Sequence, residues 1–304
     1  LDEAEAGQPA DFEHNGWVVQ ALQGAWSAIT RTATNTITTT AVSLAGDATA
    51  TATATATPTA NGTSAESSSE GPAHFQRALE AAVRGGRDTD TVAAIAGGLI
   101  GGLYGASAVP MRWRRKLHGW PGMRGRDLVR LGVMTARGGR ADSVGWPSGA
   151  QVDYSSYRQR GVLARHPHDD GVWIGGIDAL SNLSAGVDAV VSLCRLGDAQ
   201  VPVPAVAPGD HVEFWLIDDH HPDKNPNLDF VLSEAVAAVA ALRAEGRTVL
   251  LHCVQAQSRT PAVAALYGAR LTGRTPHQAL ADIIEALPQA HPNAAFRAAL
   301  ERLR

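Results

Sequence analysis

Cysteine is nearly absent: Cys194 and Cys253 are the only two among 304 residues. So few thiols exclude a disulfide framework and point to a reducing compartment, so a cytoplasmic protein is expected. Neither sign of charge is in excess. A net charge of -4 gives no reason to expect nucleic acid or an anionic membrane as partner. Long apolar runs are scarce as well. The one uncharged stretch of membrane length, 92–110, holds five glycines and many alanines, so it reads as a small-residue core helix and not a span. No basic segment followed by an apolar run opens the chain, so no signal peptide is expected. The start at Leu1 in place of Met leads us to expect that N-terminal sequence is missing.

What is present divides into two textures. A hydrophobic content of 44% supports at least one sizeable core, and the length has room for two domains. Residues 15–29 carry apolar side chains at helical spacing, with Asn15 as a plausible N-cap. Thr/Ala alternation and a Ser-rich run then fill 30–71. They offer no large side chain to bury, which predicts a disordered insertion. Helical patterning resumes over 74–86 and again over 92–109, and 111–122 is a basic stretch closing on a turn. No convincing strand is visible up to Gly122, and 127–170 reads as a linker or a loop-rich edge.

After Gly171 the period changes. The runs 172–176, 188–194, 211–217 and 248–253 read as strands, and 228–242 lies between the last two as a clear helix. Further helices are expected after Arg259, near 276–287 and over 292–303. Strands alternating with helices mean an α/β sheet. The expected division is 1–122 all-helical, 123–155 linker, and 156–304 an α/β domain with a central, mainly parallel sheet flanked by helices.

The most informative segment is TVLLHCVQAQSRTP, 248–261. An apolar strand runs into His252 and Cys253, and Arg259, Thr260 and Pro261 open a helical pattern. A loop between strand end and helix start aims backbone N–H groups inward and forms an anion cradle, here Val254, Gln255, Ala256, Gln257 and Ser258. That field favours a thiolate, and an arginine placed as Arg259 is can fork two phosphate oxygens. This Cys-x5-Arg pattern resembles the signature of protein tyrosine and dual-specificity phosphatases. The resemblance implies Cys253 as nucleophile, Arg259 as phosphate clamp, Thr260 at the sulfur, His252 orienting the loop, and no cofactor. The family usually has Gly where this chain has Ala256; if that position needs a positive φ, Ala costs roughly 1 kcal/mol, which leaves a phosphate-binding pseudophosphatase as the alternative reading.

Such an enzyme needs a general acid. The run 215–230 supplies a strand, an acidic pair and a proline-rich loop before the helix. Asp219 is the first choice and Asp218 the second, Asp219-His220-His221-Pro222 resembling the acid loop of lipid-phosphatase-like members. By the same resemblance Cys194 is either a resolving thiol for Cys253 or a plain core cysteine. The neutral loop, with Gln255 and Gln257, leans toward phosphorylated protein or a small phosphomonoester over an inositide.

The N-terminal half carries a second resemblance. RGGRDTDT (84–91), followed by VAAIAGGLIGGLYGAS, and NGWVVQALQGAWSAI upstream are similar to the C-terminal part of the ADP-ribosylglycohydrolase family. That family is all-helical and uses magnesium. The likeness implies Asp88, Asp90 and Thr91 as metal ligands, Gly16 and Trp17 lining an ADP-ribose site, and ADP-ribosylated protein as a further substrate. Only the final part of that domain is recognisable, so an incomplete magnesium site is expected, within a bifunctional parent.

Overall fold

The computed structural model describes residues 1–33, 67–157 and 162–303, which fall into two units, Leu1–Gly105 and Ala106–Arg304. The middle of the expected 30–71 insertion lies outside the described residues; its two ends are helical. The first unit holds α1 (Asp2–Ala6), α2 (Val18–Thr32), α3 (Ser67–Arg84) and α4 (Thr89–Tyr104). Its core is small: Ala21, Ala25 and Ala28 of α2 meet Ala82 of α3 and Val92 and Ala96 of α4. The four-residue spacing puts these side chains on one face of each helix, and their small size lets the backbones approach closely. The helix expected over 92–109 thus starts earlier and ends at Gly105. No helix among the described residues is long and apolar enough to cross a membrane.

Asn15 does not cap α2, which begins three residues later behind Trp17. Its side chain is buried and spans to another part of the chain, donating to the Gly86 carbonyl (2.9 Å) and accepting from the Asp88 N–H (3.0 Å).

The second unit begins with α5 (Met111–Lys116), a small hairpin of β1 (His118–Gly119) and β2 (Met123–Arg124), and α6 (Gly125–Ala136). The hairpin and α6 correct the strandless, loop-rich reading of this region. The apolar residues of α6 follow no clean helical stripe, and Leu128 and Leu131 are exposed. The helix is instead tied down by polar bonds, Arg126 to the Val201 carbonyl (2.9 Å) and Arg130 to the Pro147 carbonyl (2.7 Å), which hydrophobic periodicity does not report.

There follow β3 (Leu163–His166), β4 (Asp169–Gly175), α7 (Asp178–Ser181), β5 (Ala189–Ser192), β6 (His211–Glu213), α8 (Leu228–Ala244), β7 (Val249–His252), α9 (Arg259–Thr272), α10 (Pro276–Ala286) and α11 (Ala294–Arg302). The sheet order is β3-β4-β7-β5-β6, parallel except for the antiparallel edge strand β3. β7 is the central strand and is wholly buried. Val249 and Leu251 face the core shared with α8–α11, while Leu250 faces a second cluster with Val190, Leu196 and Val203. A strand covered on both faces reads as an unbroken apolar run, which is why 248–253 was legible.

Candidate active site at the end of the central strand

β7 delivers Cys253, buried and free, to the sheet's carboxyl end. The chain then loops over Val254–Ser258 before α9 starts at Arg259, with Pro261 in its first turn, where a missing N–H costs nothing. The loop is braced from outside. Its Val254 carbonyl accepts from the Ile177 N–H (2.9 Å), its Gln257 carbonyl from the His291 N–H (2.6 Å), and Ser258 Oγ from the Asn293 N–H (3.1 Å). With the Val254 and Gln257 carbonyls engaged outside the loop, the N–H groups of Val254, Gln255, Ala256, Gln257 and Ser258 have no acceptor among the described residues. Backbone donors left open beside a helix N-terminus are an oxyanion cradle.

Ala256 sits at φ +54°, the left-handed region expected for the usual glycine. That conformation costs an L-residue roughly 1–2 kcal/mol. Its methyl is fully buried in the larger core, which returns roughly 0.8 kcal/mol, and Ala is less costly than Gly in unfolded-chain entropy by roughly 0.4–1 kcal/mol. The balance explains how Ala is accommodated. Ala256→Gly is therefore expected to shift stability by less than about 1 kcal/mol, whereas Ala256→Val, β-branched and overpacked, costs at least about 2 kcal/mol. Thermal unfolding of both variants checks this; a tolerated Val contradicts the loop geometry.

Arg259 is 8% exposed. Its Nη1 donates to the carbonyls of Leu193 (3.3 Å) and Leu216 (3.0 Å), just beyond β5 and β6, and its Nε lies 3.6 Å from Asp218 Oδ2. Burial works against its charge, but Cys253, Cys194 and Asp218 outweigh that and hold the guanidinium above its ordinary value. Thr260 is buried, and its hydroxyl donates to the Gly175 carbonyl (3.5 Å).

His252 is buried and linked through Ser192 to His211: His252 Nε2 to Ser192 Oγ is 2.7 Å and Ser192 Oγ to His211 Nε2 is 2.8 Å. Burial first, then Arg259, pushes His252 down to about 4, against the bond its Nδ1 makes to the Cys253 carbonyl (3.1 Å). Burial likewise pushes His211 down to about 3. Both imidazoles are neutral at pH 7, so His252 orients and does not act as a charged group.

The acidic loop is shut by Asn225, which accepts from the Ile217 N–H (3.0 Å) and donates to the Ile217 carbonyl (2.9 Å). This clamp sets the two aspartates apart. Asp218 turns toward the cradle, accepting from Asn293 Nδ2 (2.9 Å) and facing Arg259. Asp219 turns into its own loop and accepts from the His221 N–H (2.9 Å), the main reason its carboxyl is held below the ordinary range. Cys194 lies just past the end of β5, free and fully buried, and burial pushes its thiol well up.

Ser192, His211, Asn225 and Asn293 were not singled out from sequence. Asn293 caps α11, accepting from the N–H groups of Ala295 and Phe296, while also holding Ser258 and Asp218. Its position before an apolar helical run identifies a cap; nothing in that signal reveals the other two bonds.

In the first unit the residues singled out are brought together. A Cβ on Gly16 would stand 3.3 Å from Asp88 Oδ2, and Asn15 fixes the backbone between them. Asp88 caps α4 through the Thr91 N–H (3.4 Å), and a side-chain hydrogen bond with Asp90 is the largest cause lowering its carboxyl. Trp17 is exposed beside Gly16. Two carboxylates and a hydroxyl fall short of the six oxygens magnesium takes, and no group of three His, Cys, Asp or Glu among the described residues is placed to hold a metal. Asp88, Asp90 and Thr91 fit part of a magnesium site at most.

Residues 1–142 match the family model for ADP-ribosylglycohydrolase, reaching past Gly105 through α5 and α6. No curated protein matches the chain. Among solved structures it is similar to human DUSP28, at 25% identity over 48% of this chain and 95% of that one with a TM-score of 0.41. It is also similar to a mouse dual specificity phosphatase complexed with zinc tungstate, at 26% identity over 46% of this chain and 85% of that one with a TM-score of 0.39.

Proposed function

We propose that the second unit hydrolyses phosphomonoesters through a phosphocysteine formed on Cys253. The observation that carries this reading is the loop itself: five consecutive N–H groups without acceptors among the described residues, the thiol at one end and a buried guanidinium at the other. The cradle and Arg259 would take the phosphate oxygens, Cys253 Sγ would attack phosphorus, and the P–O bond to the leaving group would break as that oxygen gains a proton. Water would then cleave the P–S bond, with Thr260 near the departing sulfur. No residue in this scheme needs a metal or cofactor. The neutral loop and the absence of lysine from Val254–Ser258 favour phosphorylated protein or a small phosphomonoester as substrate.

For the proton donor, the geometry supports Asp218 ahead of Asp219. Asp218 is presented to Arg259, where the phosphate would sit, whereas Asp219 is engaged by its own turn. Asp218→Asn is then expected to cut kcat about a hundredfold with an alkyl phosphate, and far less with p-nitrophenyl phosphate, whose leaving group needs little protonation. Asp219→Asn changes both by less than about threefold. The reverse pattern transfers the role to Asp219. Turnover that resists EDTA supports the metal-free scheme.

The family match over residues 1–142 favours a second reading for the complete parent protein: hydrolysis of ADP-ribosyl bonds, with the Gly16–Asp88 corner as part of the site. The donors assembled here form only part of a metal site, so we assign no step to them.

A further inference from the structure

A cavity of about 370 Å³ opens in the second unit between α5, α6 and β6, apart from the Cys253 loop. It forms where the end of the ADP-ribosylglycohydrolase-like segment packs on the edge strand of the phosphatase-like sheet. Five arginines of α5, β2 and α6 line the cavity, against three carboxylates. Some of the arginines are already paired: Arg115 with Asp210 and Glu245, Arg126 with Glu213, and Arg130 with Asp198. Arg114 is held differently. Among the described residues it lies over the rings of Phe214 and Trp215 and donates to the Glu213 carbonyl (3.2 Å), its buried Nε has no acceptor, and the carboxylates of Glu234 and Glu213 stabilise its charge. Burial pushes it down to about 10, so it remains a desolvated cation at pH 7.

Two further buried atoms in this wall lack partners. Among the described residues these are Glu213 Oε1, on a carboxyl that burial pushes up to about 7, and His211 Nδ1, on residues 6% and 7% exposed. The relay fixes what His211 offers. His252 is neutral, and its Nδ1 faces the Cys253 carbonyl, so that nitrogen carries the proton and Nε2 accepts from the Ser192 hydroxyl. Ser192 Oγ must then accept from His211 Nε2–H, which leaves a bare lone pair on the buried Nδ1 of His211, a residue that lines the cavity. A buried acceptor, a carboxylate oxygen and an unpaired guanidinium N–H are costly to leave unmatched.

We infer that this cavity is a second binding site, taking a small hydroxylated anion whose hydroxyl donates to His211 Nδ1 and whose charge meets Arg114, and that its occupancy is felt at the Cys253 loop through Ser192 and His252. A hydrogen bond donated to His211 Nδ1 polarises its Nε2–H, strengthens the bonds through Ser192, and so alters the hydrogen bond to the Cys253 carbonyl. Binding does not depend on the phosphatase reading, and the readout below is not turnover.

Citrate and its deoxy analogue tricarballylate are matched probes. Histidine-labelled full chain is titrated with each while the ring-nitrogen NMR signals are followed. Saturable citrate binding that moves His211 Nδ1 and then His252 is expected, with tricarballylate about tenfold weaker because the hydroxyl contact is lost. In Ser192→Ala the bridge between the two rings is cut, and the His252 response disappears. Glycerol phosphate, added to Cys253→Ser, tells whether phosphate or carboxylate is the preferred anion by which binds tighter at His211. The proposal is overturned if no saturable response occurs at His211 in the folded wild type. Equal binding of the two tricarboxylates also overturns it, as does a His252 response that survives Ser192→Ala with His211 silent, which places the anion in the Cys253 loop.

Discussion

Cys253→Ser is expected to lower the hydrolysis of p-nitrophenyl phosphate by at least about ten-thousandfold while leaving the thermal transition nearly unmoved. The replacement is close to isosteric in a site that is 1% exposed, so packing changes little. What changes is the nucleophile. A serine hydroxyl in the same cradle lacks a neighbouring base to remove its proton: His252, the adjacent imidazole, is aimed at Ser192 and at the Cys253 carbonyl. Binding should survive, because the five open N–H groups and Arg259 are untouched. Vanadate affinity within about threefold of wild type, beside the lost turnover, separates chemistry from binding.

Arg259→Lys is expected to be nearly as damaging, by about a hundred- to thousandfold in kcat, with weakened vanadate binding. The guanidinium bonds the carbonyls of Leu193 and Leu216 and faces Asp218, and in the proposed mechanism it must also present a planar fork to the phosphate. An ammonium cannot keep two strand-end bonds and still offer two parallel donors to phosphate. The side chain is also one of the few charges buried in this unit, so its loss is felt in stability too. A Lys variant with wild-type kcat would mean that Arg259 only braces the ends of β5 and β6.

Much of this was legible because the sheet is covered on both faces. A buried parallel strand such as β7 announces itself as an apolar run, and a thiol followed by five residues and an arginine at its end carries its own chemistry. The positive φ at Ala256 follows from the same pattern, and the structure adds that the methyl is buried. Side-chain networks between distant segments were not legible. Ser192 and His211 sit on different strands, and each looks like ordinary strand filler until parallel pairing of β5 with β6 and β7 brings them beside His252. Asn15 carried a correct local signal, a cap-forming residue before a helix, with the wrong consequence, because its bonds go to Gly86 and Asp88. Helix α6 escaped notice because arginine-to-carbonyl bonds anchor it and its leucines remain exposed.

The central claim is a covalent intermediate on one named sulfur. Rapid quenching during turnover of a phosphomonoester, followed by peptide mass spectrometry, should find one phosphoryl group on the peptide that carries Cys253. That label is expected to disappear in Cys253→Ser and to be unaffected by EDTA. Sustained turnover with no phosphoryl group on Cys253, or turnover retained after its replacement by serine, would contradict the account.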